Sequence, residues 1–112
     1  MEKTLQERIK YSTKLLYKYP DRVPLIIEEG KIRLENSKYL LPKDMFICNF
    51  LSIIRTKLNK TFDSKEAIFT FVKSETGYLL VSLNETMGNI YNQFKQPDGF
   101  LYIKFGVENT FG

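Results

Sequence analysis

The last fifteen residues, Asp98 to Gly112, constrain this chain most. Asp98-Gly99 is a turn signal, and Leu101, Ile103 and Phe105 then alternate with Phe100, Tyr102 and Lys104. That alternation predicts a strand with two distinct faces. The strand runs into a short polar stretch that finishes at Phe111-Gly112. Glycine has no Cβ, so its carboxylate passes through a narrow enzyme channel, and Gly112 is read as a chemical handle. The glycine taken alone fits a frayed end better.

The rest of the chain is organised by similar local signals. Thr4 and Glu7 form a capping box at the start of a helix. Leu5, Ile9 and Leu16, with Leu15 beside the last, lie near one helical face, and Pro20 ends the helix near Tyr19. Arg22 to Glu29 reads as a strand broken by Gly30, and Ile32 to Asn36 with Lys38 to Leu41 as a second, ended by Pro42. Asp44 is the expected N-cap of a helix from Met45 to Leu58, carrying Ile47, Leu51, Ile54 and Leu58 at helical spacing. Asn59 to Lys65 is a loop, Ala67 to Val72 a strand and Ser74 to Gly77 a turn. Ser82 and Glu85 suggest a second capping box, before a short helix with Met87, Ile90, Tyr91 and Phe94 on one face. Gly88 sits awkwardly inside that helix. The pattern alone gives a small α+β domain, and 112 residues allow one such domain.

Composition removes several kinds of chemistry. The chain has no histidine and one cysteine, Cys48, which excludes imidazole catalysis, His/Cys zinc sites and an internal disulfide. Cys48 lies among apolar residues and is expected to be a buried, inert thiol. Glu28 and Glu29 are consecutive in a strand, so they point to opposite faces and form no catalytic pair. The net charge of +4 is mild, and the aromatics do not interleave with a dense basic patch, so no nucleic-acid partner is expected. No run of apolar residues is long enough to span a membrane. The expected role is that of an enzyme's substrate, not of an enzyme.

Five segments resemble one family in its order: Arg22-Val-Pro-Leu-Ile-Ile, Lys38-Tyr-Leu-Leu-Pro42, Ile54-Arg55, Glu66 to Val72, and Asp98-Gly-Phe-Leu-Tyr with Glu108-Asn-Thr-Phe-Gly112. The chain resembles the autophagy ubiquitin-like modifiers of the GABARAP and microtubule-associated-protein light-chain type. The resemblance implies an α+β fold of the ubiquitin-like β-grasp kind: a four-stranded mixed sheet with a helix across it, plus an N-terminal helical extension. It divides a single ubiquitin-like domain, 1–112, into that extension (1–20), the β-grasp core (21–106) and a flexible tail (107–112).

The resemblance also implies a function. Gly112 would be activated with ATP, passed as a thioester through activating and conjugating enzymes, and joined to phosphatidylethanolamine. A delipidating cysteine protease would recognise Phe111 and release the protein. No cofactor is expected beyond the covalent lipid on Gly112. The protein would divide between cytoplasm and autophagosomal or related membranes, which it reaches through lipidation. Receptors with an aromatic-x-x-aliphatic motif would dock at the edge strand. The aromatic pocket is assigned to Leu15, Pro24, Ile26, Lys38, Leu40 and Phe100. The aliphatic pocket is assigned to Tyr39, Leu41, Pro42, Met45, Phe50, Ile53 and Ile54. Arg22, Lys38, Arg55 and Lys57 would attract acidic flanks, and Tyr11 stands where many members carry an acidic residue. Every apolar residue in these sets also fits plain core. Two alternatives stay open: an unconjugated β-grasp adaptor that binds peptides, and a modifier joined to a protein lysine.

Overall fold

The computed structural model describes residues 3–28, 37–57 and 66–109. Glu29, Gly30, the expected strand start Ile32 to Asn36, Leu58, the loop Asn59 to Lys65, Phe111 and Gly112 lie outside the described residues. The elements in order are α1 (Leu5–Lys18), β1 (Arg22–Ile27), β2 (Lys38–Pro42), α2 (Ile47–Lys57), β3 (Glu66–Ser74), β4 (Gly77–Leu80), α3 (Met87–Phe94) and β5 (Leu101–Asn109).

The strands form one mixed sheet in the order β2-β1-β5-β3-β4. β5 runs parallel to β1 and antiparallel to β3, and both hairpins are antiparallel. The α+β arrangement with an N-terminal helix is as expected, but the sheet has five strands where four were expected. The extra strand is β4. Its Tyr78-Leu-Leu-Val81 run does not alternate, so periodicity alone does not assign it, and pairing with β3 makes it a strand.

Strand alternation divides the side chains between two layers. Val23, Leu25 and Ile27 of β1, Leu101, Ile103 and Phe105 of β5, and Ile68 and Val72 of β3 face α2 and α3. There they join Ile47, Phe50, Leu51, Ile54, Met87, Ile90 and Tyr91 in one buried core. Pro24, Ile26 and Phe100 fall on the other side, towards α1. Cys48 flanks the inward stripe of α2 and is half-buried, not buried as expected.

The capping box of Thr4 and Glu7 forms as the sequence indicates. Other helix ends are completed from a distance. Asp44 does not cap α2. The helix starts at Ile47, whose amide donates to the Glu85 carbonyl at 2.9 Å, while the Cys48 amide donates to Leu83 at 3.0 Å. Ser82 and Glu85 close a turn instead of a capping box, and Thr86 caps α3. Gly88 belongs where it is: its amide donates to the Lys43 carbonyl at 2.8 Å, and a Cβ there would press on the same oxygen.

Candidate functional site

The candidate site is built where α1 crosses the sheet beside β2. α1 does not pack by Leu5 and Ile9, which stay exposed at 47% and 39%. Leu16 packs on the core and Tyr11 meets Phe100, and a polar clasp joins the same helix to the turn before β5. Ser12 is buried and donates to the Asp98 carbonyl at 2.6 Å. Arg8 Nε donates to the Asp98 carboxylate at 3.0 Å, and the Tyr102 hydroxyl donates to the same carboxylate oxygen. The other carboxylate oxygen accepts from the Phe100 amide at 3.0 Å. Asp98 is only 4% exposed, so these partners replace the water its charge has lost. Burial, and then the bond to Asp98, push the Tyr102 hydroxyl's pKa well above its ordinary value.

This clasp fixes the distance between α1 and the sheet, and a hollow of about 150 Å³ remains between them, lined by Tyr11, Leu15, Leu25, Lys38, Tyr39, Leu40 and Phe100. A second hollow of about 570 Å³ shares Tyr11, Lys38 and Phe100 with it and adds Ile26, Lys3, Arg8 and Lys73 among its walls. Tyr11 meets Phe100 edge-on, with ring centroids 6.1 Å apart. The ammonium groups of Lys3 and Lys38 lie 4.1 and 5.4 Å from the Tyr11 ring centre. Glu28 and Tyr102 complete the larger hollow, so the mouth is aromatic with four cationic side chains to one carboxylate, and suits an apolar group with a negative charge nearby.

Of the residues assigned to the aromatic pocket, Leu15, Lys38, Leu40 and Phe100 line the smaller hollow and Ile26 lines the larger. Pro24 is fully buried opposite Leu40 in the β1–β2 ladder. Tyr11 lines both hollows and is missing from the assigned set. It precedes Leu15 by one helical turn, and that spacing is the signal that would have found it.

The second group of residues lies across β2, towards α2. Tyr39 meets Phe50 edge-on at 5.4 Å, Met45 packs half-buried on the core, and Ile53 is exposed. Leu41, Phe50 and Ile54 are buried beneath them. Pro42 pairs with Arg22, and strand alternation puts it on the opposite face from Tyr39 and Leu41. Lys57 donates to the Tyr39 hydroxyl at 3.3 Å and so ties the last turn of α2 to β2. Arg22, Lys38, Arg55 and Lys57 are all exposed around this edge.

β2 is one edge of the sheet. The Ile27 amide donates to the Ser37 carbonyl at 2.7 Å, which makes 27 and 37 a hydrogen-bonded pair of the ladder. Alternation then turns the backbone groups of Tyr39 and Leu41 towards β1, and those of Lys38 and Leu40 outwards. Lys38 and Leu40 thus present both outward backbone groups and the side chains that line the hollow.

A family model described as autophagy protein Atg8, ubiquitin like, matches residues 7–112. Autophagy-related protein 8h of Arabidopsis thaliana is 37% identical over 110 residues, covering 95% of this chain and 87% of that protein. Autophagy-related protein 8e of the same plant is 34% identical over 116 residues, covering 100% and 90%. The crystal structure of Trypanosoma brucei ATG8 superposes with a TM-score of 0.81 at 29% identity, covering 100% of this chain and 95% of that one. Plasmodium falciparum Atg8, solved in complex with a P. falciparum Atg3 peptide, shares the fold with a TM-score of 0.74 at 23% identity, covering 93% and 90%.

Proposed function

This chain belongs to the Atg8 family of ubiquitin-like autophagy proteins, and from that premise we propose that it is a lipid-conjugated modifier that recruits partners through the edge of β2. Gly112 is the residue joined, by an amide, to the amine of phosphatidylethanolamine. ATP supplies the free energy of that bond through an acyl-adenylate and enzyme thioesters. The two acyl chains of the lipid then hold the domain on a membrane, where a single chain would bind only marginally. A cysteine protease that reads Phe111 reverses the linkage. The autophagosomal membrane and the cytoplasm are the two places between which the protein cycles. The Atg3 peptide bound by the Plasmodium protein supports a conjugating enzyme as a partner here too.

The observation that supports recruitment is the coincidence on β2 described above. An extended peptide adds to the backbone groups of Lys38 and Leu40 as a further strand. Its aromatic side chain enters the hollow of Leu15, Leu40 and Phe100. Its aliphatic side chain lands beside Tyr39, Met45 and Ile53, above Phe50 and Ile54. Arg22, Lys38, Arg55 and Lys57 draw its acidic flanks.

The test is intact-mass analysis after incubation with the activating and conjugating enzymes, ATP and phosphatidylethanolamine liposomes. A gain of one phospholipid less one water, absent in Gly112→Ala, is expected. An enzyme thioester without that gain would direct the modifier to a protein lysine instead. Neither product, with enzymes shown to act on another substrate, would leave an unconjugated adaptor.

A further inference from the structure

The two hollows beside α1 supply different things. The smaller, of about 150 Å³, matches the volume of a cavity that holds one benzene ring. A six-membered ring fills it, so a group attached to that ring must extend past it. The larger hollow, of about 570 Å³, adjoins it through the shared walls Tyr11, Lys38 and Phe100.

Cations collect around the larger hollow. Lys3, Lys38 and Lys73 have no carboxylate partner among the described residues. Their ammonium groups rest on rings instead, Lys3 and Lys38 on Tyr11, and Lys73 at 5.4 Å from the centre of Tyr102. Lys3 and Lys38 therefore stand within about 10 Å of each other, on the order of the screening length, and an anion between them relieves their repulsion. Arg8 is fixed in place, with Nε on Asp98 at 3.0 Å and a terminal nitrogen on the Lys3 carbonyl at 2.6 Å. With Glu28 on the wall and Asp98 paired to Arg8, the four cations leave an excess of two positive charges.

The placing of these cations selects the anion. A glutamate side chain brings one charge and no ring. A phosphate monoester carries about −1.5 to −2 at neutral pH with three acceptor oxygens, which matches the excess. A lipid headgroup brings phosphate without an aromatic ring and leaves the smaller hollow unfilled. We propose that the paired hollows are a phosphotyrosine site. The ring of a peptide's phosphotyrosine occupies the smaller hollow, and its phosphate lies in the larger, among Lys3, Lys38 and Lys73. The assignment rests on the reading of β2 as the strand that an extended peptide joins. It makes tyrosine phosphorylation of a partner the event that strengthens docking.

The test is calorimetric titration of the full chain, with amide NMR to place the contact. Four synthetic aromatic-x-x-leucine peptides with uncharged flanks are compared. Three carry phenylalanine, tyrosine or phosphotyrosine at the aromatic position, and the fourth has phosphoserine just before phenylalanine. The phosphotyrosine peptide is expected to bind about tenfold more tightly than the phenylalanine peptide at low salt, and the phosphoserine peptide to gain no more than about threefold. All should shift the Lys38 and Leu40 amides, and the phosphotyrosine peptide that of Lys73 as well. Lys3→Gln and Lys73→Gln are each expected to narrow the phosphotyrosine-to-phenylalanine ratio about threefold, with thermal melts to confirm the fold. Equal affinity for those two peptides, with both shifting Lys38 and Leu40, would overturn the phosphate site and leave the β2 reading standing. An equal gain from phosphoserine would overturn it in favour of a charge beside the ring. Inositol phosphate binding as tightly as phenyl phosphate would overturn it in favour of a lipid headgroup. If no peptide shifts Lys38 or Leu40, the β2 reading falls with it.

Discussion

Ser12 and Gly99 are in mutual contact between α1 and the turn before β5, and neither position accepts a larger residue. The Ser12 hydroxyl occupies the space where a Cβ on Gly99 would project, and Gly99 has φ +86°, a region that side chains disfavour. That close approach lets Ser12 reach the Asp98 carbonyl and seats the helix that forms one wall of the peptide hollow.

Gly99→Ala is expected to cost about 2 kcal/mol, from backbone strain plus overlap with Ser12. Urea denaturation measures it. In a Ser12→Gly background the added cost should shrink, because only the strain remains. Equal costs in both backgrounds would show that the overlap is relieved at no expense.

Thr70 is an opportunity for stabilisation. It is 2% exposed, and its buried hydroxyl has no hydrogen-bond partner among the described residues. Thr70→Val keeps the shape and removes the unsatisfied group, so it should raise stability by about 1 kcal/mol. A lower denaturation midpoint would mean that the hydroxyl has a partner after all, such as a bound water.

Leu40→Ala should weaken binding of an aromatic-x-x-aliphatic peptide by about 1–3 kcal/mol with little loss of stability, since the side chain is half-buried at the edge. Phe100→Ala should weaken binding and also unfold the protein more readily, because Phe100 is 4% exposed beneath α1. Calorimetric titration and thermal melts together separate the two effects. Unchanged peptide affinity in Leu40→Ala would remove the hollow from the binding site.

Alkaline pH should loosen the fold in a defined window. Burial, and then the bond to Glu28, push Tyr78 up to about 12. Burial also raises Tyr91 and Tyr102, and Asp98 adds to both. The folded chain holds these protons at a pH where the unfolded chain, with tyrosine near its ordinary value of about 10, has released them. Their stabilisation is therefore complete below pH about 10 and is lost as pH rises through about 12. Urea midpoints at pH 9, 10.5 and 11.5 measure the fall, and Tyr102→Phe should flatten part of it. A variant with the same slope as the parent would exclude Tyr102 as a source.

Sequence alone determined the features that depend on neighbours a few residues apart. The Thr4–Glu7 cap, the inward stripes of α2 and α3, and the alternation of β5 all rest on spacings of two to four residues, which the backbone geometry of helix and strand fixes. The order of the elements other than β4 follows in the same way, and the motifs at Lys38–Pro42 and Asp98–Tyr102 carry the family resemblance.

What only the tertiary structure decided depends on residues far apart in the chain. β4 is a strand because β3 pairs with it, not because its own pattern alternates. The first amides of α2 donate to the Leu83 and Glu85 carbonyls, so the local candidate Asp44 does not cap it. Gly88 makes sense only against Lys43. α1 is held through Arg8 and Ser12 to Asp98, because Asp98 is buried and needs partners, while Leu5 and Ile9 stay exposed. The one-turn spacing marks Tyr11 as a neighbour of Leu15, and only the packing shows that this side of α1 meets the sheet. Local periodicity tells a residue which way it faces on its own element, and only packing tells it what stands opposite.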